Sequence, residues 1–440
     1  MKEKIKFVIF GATGDLTKRK LIPALYNLIT KNSINNFEII CIARKEFTKE
    51  TFVEYLKIEY KKFYNKIDDN TWNKLKEKIE YLKVDFNELD KLKLNTKNAI
   101  YYLATMPENY ELIIKYLKKN SINNSKIIIE KPFGYNLKDA IKINNLLKKS
   151  FTEEQIYRID HYLAKEAVQN LLVFRFANTI FEPIWNNKYI DNIQITISED
   201  IGVENRSIYY EKAGAIKDMV QNHILQILTL VTMENPKLLN YKNIEEEKIK
   251  VLRKLKIKNY LLGQYKGYRE EINKDSNTET YAAIKMELNN KRMKGVPIYI
   301  RTGKNLKKKE SLIYIKFHNH SIKEVDKTNS LVIRIYPEND IELYFNQKKP
   351  GSELKIQNVR LNFCYSCLYG YNTSEAYEEL IKAIIRGDKT LFTSWNFTEN
   401  AWKIVDKIKS NNVIFYNKKT KGPREADELI LKDNKEWFDK

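Results

Sequence analysis

Glycine is scarce in this chain of 440 residues, with 13 in all, and there are only nine prolines, four histidines and three cysteines. So little glycine and proline excludes a collagen-like or low-complexity organisation. The cysteines, Cys41, Cys364 and Cys367, are an odd number in a long sequence. That argues against a disulfide-built secreted module and leads us to expect reduced thiols and a cytoplasmic protein. No stretch approaches the ~18 consecutive apolar residues of a membrane span. The opening run Ile5–Phe10 meets Gly11 too soon for a signal-peptide core and reads as a first strand. Cys364 and Cys367 have CxxC spacing, and His318 and His320 lie upstream, but no second CxxC completes the roughly four ligands of a zinc site. We expect no metal.

What is present is a globular composition, 43% hydrophobic and 12% aromatic, in a chain long enough for two or three domains. Lysine and arginine (78) outnumber aspartate and glutamate (57), giving a net charge of +21. A nucleic-acid footprint gathers basic residues on one face with aromatics between them. Here lysine is spread along the whole chain, which reads as a compositional bias. Such a surface would also steer anionic small molecules inward.

Up to about residue 160, strand-like runs alternate with helical ones. The predicted strands are Ile5–Phe10, Phe37–Ala43, 81–86, 99–105 and 126–131, and the helices 15–30, 49–79, 108–119 and 137–149. This βαβαβ order implies a doubly wound parallel sheet, a Rossmann-like dinucleotide-binding domain over residues 1–160. Residues 161–440 read as an α+β domain. Helices at 161–172 and 214–233 flank a strand, Ile190–Ser198. Strand-like segments follow at Tyr281–Leu288, 296–301, 311–317, Ser330–Tyr336 and 341–345, implying a large antiparallel sheet. Late helices are predicted at 375–386 and 399–409.

Gly11-Ala12-Thr13-Gly14-Asp15-Leu16-Thr17-Lys18 follows the first strand and opens a helix. Glycine lets the backbone turn sharply against a pyrophosphate, whose charge the helix N-terminus stabilises. The GxxG spacing is also that of a plain turn capped by Asp15. Arg44, just past the second strand, suits a ribose 2′-phosphate better than a 2′-hydroxyl, although Glu46 stands close by. Lys131-Pro132 ends the fifth strand, at the sheet edge where ligands bind. In the second half, His161 and Lys165 are four apart at the start of the predicted helix, hence on one face, where a phosphate would relieve their repulsion; taken alone, the spacing reads better as Asp160 capping the helix and Lys165 as a solvated charge. His223 lies in line with Ile216, Val220 and Ile227; a histidine there is commonly a satisfied core residue, but its pKa also suits a general base. Asp160 is a candidate to fix its tautomer. Arg301-Thr-Gly303-Lys304, running on to Lys309, is either a solvated basic turn or an anion clamp.

These residues resemble a known family. Gly11-Ala-Thr-Gly-Asp-Leu-Thr-Lys18, Glu130-Lys-Pro-Phe-Gly134, Arg158-Ile-Asp-His-Tyr-Leu-Ala-Lys165, Asp218-Met-Val-Gln-Asn-His223, Arg301-Thr-Gly-Lys304 and Glu375-Ala-Tyr-Glu-Glu-Leu380 are similar, in order and along the whole chain, to glucose-6-phosphate dehydrogenases of the bacterial type. The resemblance implies oxidation of glucose 6-phosphate at C1 with NADP as cofactor. His223 would be the base and Asp160 its orienting carboxylate. His161, Tyr162, Lys165, Lys304 and Lys309 would hold the phosphate, and Glu199 and Asp218 the sugar hydroxyls. Lys131 would bridge sugar and cofactor. Gly11, Ala12, Thr13, Gly14, Asp15, Leu16, Lys18, Arg44 and Tyr102 would hold the dinucleotide. A homodimer or homotetramer is implied, with no nucleic-acid or membrane partner. The sequence departs from the family around residues 60–98 and 257–280, where it is shortened. Tyr336 stands where glutamine is familiar, and Met293 where tryptophan is. The rival readings are a dehydrogenase of another phosphorylated sugar, a basic nucleic-acid-binding protein on the same fold, and a catalytically dead relative.

Overall fold

The computed structural model describes residues 4–64, 66–92, 94, 98–119, 124–319, 328–364, 375–409 and 412–439. It divides into two units, Met1–Ala164 with Ser374–Glu399, and Lys165–Thr373 with Asn400–Lys440. The sequence division at 160/161 therefore misses a return: the stretch ending at Glu399 belongs with the first unit. The reason is an amphipathic helix, Ala376–Arg386, whose Tyr377, Leu380, Ile381 and Ile384 share a core with the first strand.

The first unit is built on β1 (Ile5–Phe10), β2 (Phe37–Ala43), β3 (Ile79–Lys83), β4 (Ala99–Leu103), β5 (Lys126–Ile129) and β6 (Ile156–Ile159), all parallel in the order 3-2-1-4-5-6. That is the doubly wound order, with β1 at the switch point. Alternation along β1 explains why both faces are covered. Phe7 and Ile9 point to one core with the helices Ile22–Thr30 and Lys49–Lys61, while Val8 and Phe10 point to another with Tyr110–Lys119. The single helix expected over 49–79 is two, because Asp68 caps a fresh start at Asp69–Lys78 by accepting from Thr71 N–H.

In the second unit, a nine-stranded sheet runs in the order β14-β13-β12-β11-β7-β10-β9-β8-β16. Its members are β7 (Ile190–Ser198), β8 (Leu255–Tyr265), β9 (Tyr281–Leu288), β10 (Pro297–Gly303), β11 (Glu310–Phe317), β12 (Ser330–Tyr336), β13 (Asp340–Lys348), β14 (Ile356–Cys364) and β16 (Ile414–Tyr416); β15 (Phe392–Thr393) pairs antiparallel with β6 in the first unit. The sheet is antiparallel except for β7 with β10 and β8 with β16. Behind it runs a π-helical segment, Ile216–Ile224, continuing as the helix Leu225–Thr232, every residue of which is buried. Arg175, itself fully buried, donates to the carbonyls of Leu230 (2.7 Å) and Met233 (2.9 Å) and so closes that helix end. Burial lowers its pKa to about 9, with Glu182 opposing the shift.

Two sequence expectations fail here. The helix predicted over 161–172 begins only at Glu166 and runs to Phe176. Asp160 accepts from Tyr162 N–H through its carboxylate (3.0 Å) and from Leu163 N–H through its carbonyl (3.0 Å), which ties residues 160–163 into a turn. His161 and Lys165 therefore do not share a helical face. Secondly, Cys364 is in a disulfide, so only Cys41 remains as the expected thiol among the described residues; Cys367 and His320 lie outside them. No helix among the described residues is long and apolar enough to cross a membrane.

Candidate active site

In the first unit, the turn after β1 is shaped for a close backbone approach. Gly11 has φ +91°, and a Cβ there would lie 2.4 Å from the Ala104 carbonyl oxygen. Gly11 and Ala12 N–H both donate to Ile42 O, and Gly14 N–H donates to Gly11 O (2.9 Å). A helical run from Asp15 follows, so its N-terminus faces the ligand end of the sheet, at the switch point. These residues fit a pyrophosphate. Asp15 forms no cap; it pairs with Lys18 at 3.1 Å. Lys18 also meets Glu59 at 3.0 Å, and although burial works against its charge, these two carboxylates raise its pKa. Thr13 and Leu16 are half-buried in this turn. Arg44 is exposed past β2, while Glu46 is engaged by Lys83 at 2.8 Å. The carboxylate that left the cofactor open is thereby turned to the β3 edge.

Lys131 is half-buried, joined to Pro132 by a cis peptide at the end of β5. Beneath it lies a group that sequence reasoning passed over. Glu130 is half-buried, and its carboxyl accepts from the Tyr102 hydroxyl and, at 3.2 Å, from that of Tyr377. Burial pushes its pKa up to about 7 against the pull of both phenols. Tyr102 is thus committed to Glu130 through its hydroxyl and is buried rather than open beside a ligand. Glu130 and Tyr377 both stand inside the quoted motifs, which was the available signal. Asp160 is 2% exposed, and His161 and Tyr162 sit beside it with ring centroids 5.1 Å apart.

Within the second unit, Gly214 lies two residues ahead of the π-helical segment. Glu279 caps it, its carbonyl accepting from Ala215 N–H (2.9 Å) and its carboxylate from Ile216 N–H (3.1 Å). The i→i+5 register of such a segment spans Asp218 to His223, and π-turns recur at functional sites. His223 is 1% exposed and Asp218 likewise buried. Asp218 accepts from Tyr209 O–H (3.1 Å) and lies 3.6 Å from the Arg206 guanidinium. Neither partner had a local sequence signal, since both come from the turn and helix preceding Gly214. Parallel pairing of Ser198 with Gly303 brings Glu199 beside Lys304, and the two form an ion pair. The predicted sugar ligand and the predicted phosphate ligand are therefore partners. Lys165 and Lys309 instead both lie over one ring, that of Tyr336, at 5.8 and 4.7 Å from its centroid.

Two family descriptions cover almost the whole chain: the glucose-6-phosphate dehydrogenase NAD-binding domain over residues 8–170, and the C-terminal domain of the same family over 172–438. The chain belongs to the glucose-6-phosphate dehydrogenase family. Its relatives include the Glucose-6-phosphate 1-dehydrogenase of Borreliella burgdorferi, 42% identical with 99% of both chains covered, and that of Bacillus subtilis, 40% identical with 99% of this chain and 98% of the relative covered. Among solved structures, a glucose-6-phosphate dehydrogenase in complex with its substrate glucose-6-phosphate matches with a TM-score of 0.91 at 32% identity, over 100% of this chain and 99% of the other. The Mycobacterium avium enzyme matches at 0.91 and 30%, over 99% and 98%. Members of the family are oxidoreductases acting on CH–OH groups, and the parallel and antiparallel sheets described above are the family's fold.

Proposed function

We propose that this chain oxidises D-glucose 6-phosphate at C1 to 6-phospho-D-glucono-1,5-lactone with reduction of NADP to NADPH, the opening step of the oxidative pentose phosphate pathway. The observation that carries the reading is the match along both halves of the chain to relatives named for this activity. When bound, NADP supplies the hydride acceptor, so the protein has to supply a base and alignment.

His223 takes the proton of the C1 hydroxyl, and Asp160 is the carboxylate that fixes its tautomer and stabilises the imidazolium. Burial of both side chains supports this, because a charge formed away from water is worth more to a fixed carboxylate. Lys131 bridges sugar and cofactor. Asp218, steadied by Arg206 and Tyr209, binds sugar hydroxyls together with Glu199. Lys165, Lys309, His161 and Tyr162 hold the phosphate, and Lys304 reaches it while paired with Glu199. The 11–18 turn carries the pyrophosphate, and Thr13 and Arg44 carry the 2′-phosphate; the engagement of Glu46 by Lys83 favours NADP over NAD.

A homodimer or homotetramer in the cytoplasm is the proposed setting. The outermost strand β14 exposes Leu361 and Phe363 by about half, which supports burial against a second copy. An absorbance assay at the nicotinamide band tests the activity, with glucose 6-phosphate, galactose 6-phosphate and free glucose each offered with NADP and NAD. Glucose 6-phosphate with NADP should be turned over fastest. A preference for another sugar phosphate, or no NADPH formed while nucleic acid binds with a steep salt dependence, would overturn it.

A further inference from the structure

The chain leaving β7 runs from one proposed sugar ligand to the partner of another. Glu199 pairs with Lys304, and further on the Arg206 guanidinium lies 3.6 Å from Asp218. The shape of residues 199–206 therefore fixes two groups of the proposed substrate site at once. Its first half hangs on β10 and the turn after it. Glu199 N–H donates to Gly303 O, Leu306 N–H to Glu199 O and Asn305 N–H to Ile201 O, each at 2.9 Å. Its second half needs another support. Glu204 has φ +50°, a left-handed conformation that its Cβ makes unfavourable. Arg206 N–H donates to Val203 O (3.1 Å), so whatever holds 203 and 204 also places Arg206.

That support comes from Glu271, in the short helix Tyr268–Ile272. Its Oε1 accepts from Glu204 N–H at 2.7 Å, and its Oε2 from the Tyr265 hydroxyl, also at 2.7 Å. The same hydroxyl accepts from Val203 N–H at 3.2 Å. A phenol can do both, giving its one hydrogen to the carboxylate and a lone pair to the amide. One carboxylate thus serves two consecutive backbone donors, one directly and one through a tyrosine that is fully buried. Gly202 lets the loop lie close, since a Cβ there would come 3.1 Å from both Glu271 Oε2 and the Tyr265 hydroxyl. We propose that Glu271 is a positioning residue for sugar binding: with Tyr265 it holds Val203 and Glu204 in the turn that delivers Arg206 to Asp218. The inference rests on the reading that Asp218 binds the sugar hydroxyls. In this role Glu271 acts through Arg206 and not on the reacting atoms. Loosening it should therefore weaken the grip on the sugar ring and spare that on the phosphate.

Steady-state kinetics at saturating NADP test this, with inorganic phosphate as a competitive inhibitor that lacks the sugar. Glu271→Ala should raise KM for glucose 6-phosphate about five- to tenfold. It should leave Ki for phosphate within about twofold and kcat within about threefold of the parent. Glu271→Gln keeps one acceptor oxygen, and Tyr265→Phe keeps the direct bond to Glu204, so both should fall between. Glycine reaches φ +50° without strain, so adding Glu204→Gly should restore much of the KM lost in Glu271→Ala. Asp218→Asn checks the reading underneath. If it raises KM while Glu271→Ala does not, the Glu271 inference fails and the sugar reading survives. If Asp218→Asn leaves KM unchanged, the sugar reading fails and takes the inference with it. A rise of KM and phosphate Ki together in the folded Glu271 variants would overturn the inference, because the whole site and not the sugar contact would then have shifted. No rescue by Glu204→Gly would do the same, since the carboxylate would not be holding that backbone turn.

Discussion

A histidine removes a proton from a sugar hydroxyl only if the imidazole is neutral on arrival and stabilised once charged. His223 is sealed from solvent, and it comes from a backbone segment held by hydrogen bonds at its start and surrounded by buried neighbours. Its side chain therefore has little freedom to lose. His223→Asn keeps a similar size and hydrogen-bonding edge but has no nitrogen able to take a proton. We expect kcat to fall about 10²–10⁴-fold, the usual worth of a general base, while glucose 6-phosphate still binds in isothermal titration calorimetry. Near-normal turnover would remove the base assignment. In the proposed mechanism Asp160 acts one step further out. Its carboxylate also accepts from Tyr162 N–H, so Asp160→Asn keeps an oxygen for that turn and loses the charge. A large loss of kcat with unchanged phosphate binding is the expected pattern.

The element that carries His223 depends on one glycine. Gly214 has φ +59° and ψ −178°, a combination open essentially to glycine alone. A Cβ there would lie 2.3 Å from the Glu279 carboxylate, the same group that caps Ile216. Gly214→Ala should therefore cost about 3 kcal/mol of stability, from backbone strain together with the displaced cap. It should also lower kcat, because the π-segment begins two residues later. Urea denaturation read beside turnover checks both, and an alanine variant equal to the parent in both would show that the turn relaxes freely. In the sequence this glycine marked only the start of a predicted helix, and its conformation was not legible. The same divide runs through the fold. β1, β2, β7, β9 and β12 stand at the bounds their apolar patterns predicted, because each buries a face and tolerates no slip. Around residue 161 the apolar spacing of Leu163, Ala164, Ala167 and Val168 looked helical, and a single carboxylate bonding to its own turn delayed the helix by five residues. β8 and β14 went unseen for a different reason. β8 opens on the buried Leu255 but then passes exposed Lys256, Lys258 and Asn259 before its buried end, and β14 is largely exposed along its length, so neither shows an unbroken buried face that makes a strand readable. The residues proposed for the site come one by one from the motifs. Its pairings (Glu199 with Lys304, Asp218 with Arg206, the two lysines with Tyr336) were not, since they arise from strand register and chain returns that local spacing does not encode.

At the scale of the whole molecule, stability should carry the mark of one half-buried acid. Glu130 is raised from 4.5 to about 7, chiefly because burial disfavours its charged form. A carboxyl whose pKa is higher when folded than when unfolded binds more protons in the native state between those two values. Stability therefore falls as pH rises through that window and levels off above it, the reverse of the usual salt-bridged carboxylate. The full shift corresponds to roughly 3 kcal/mol at most, and the net slope of the parent also contains its other titrating groups. Glu130→Gln isolates the one group. Both tyrosine hydroxyls donate to the same oxygen, Oε1, so an amide oxygen in its place keeps the Tyr102 and Tyr377 hydrogen bonds and removes the titration. The stability of the variant minus that of the parent, from urea midpoints at stepped pH, should drift in the variant's favour from about pH 4.5 to pH 7 and then stay flat. A difference independent of pH would mean that Glu130 titrates as an ordinary carboxyl, and that the two phenols and Lys131 hold it ionised in the folded chain.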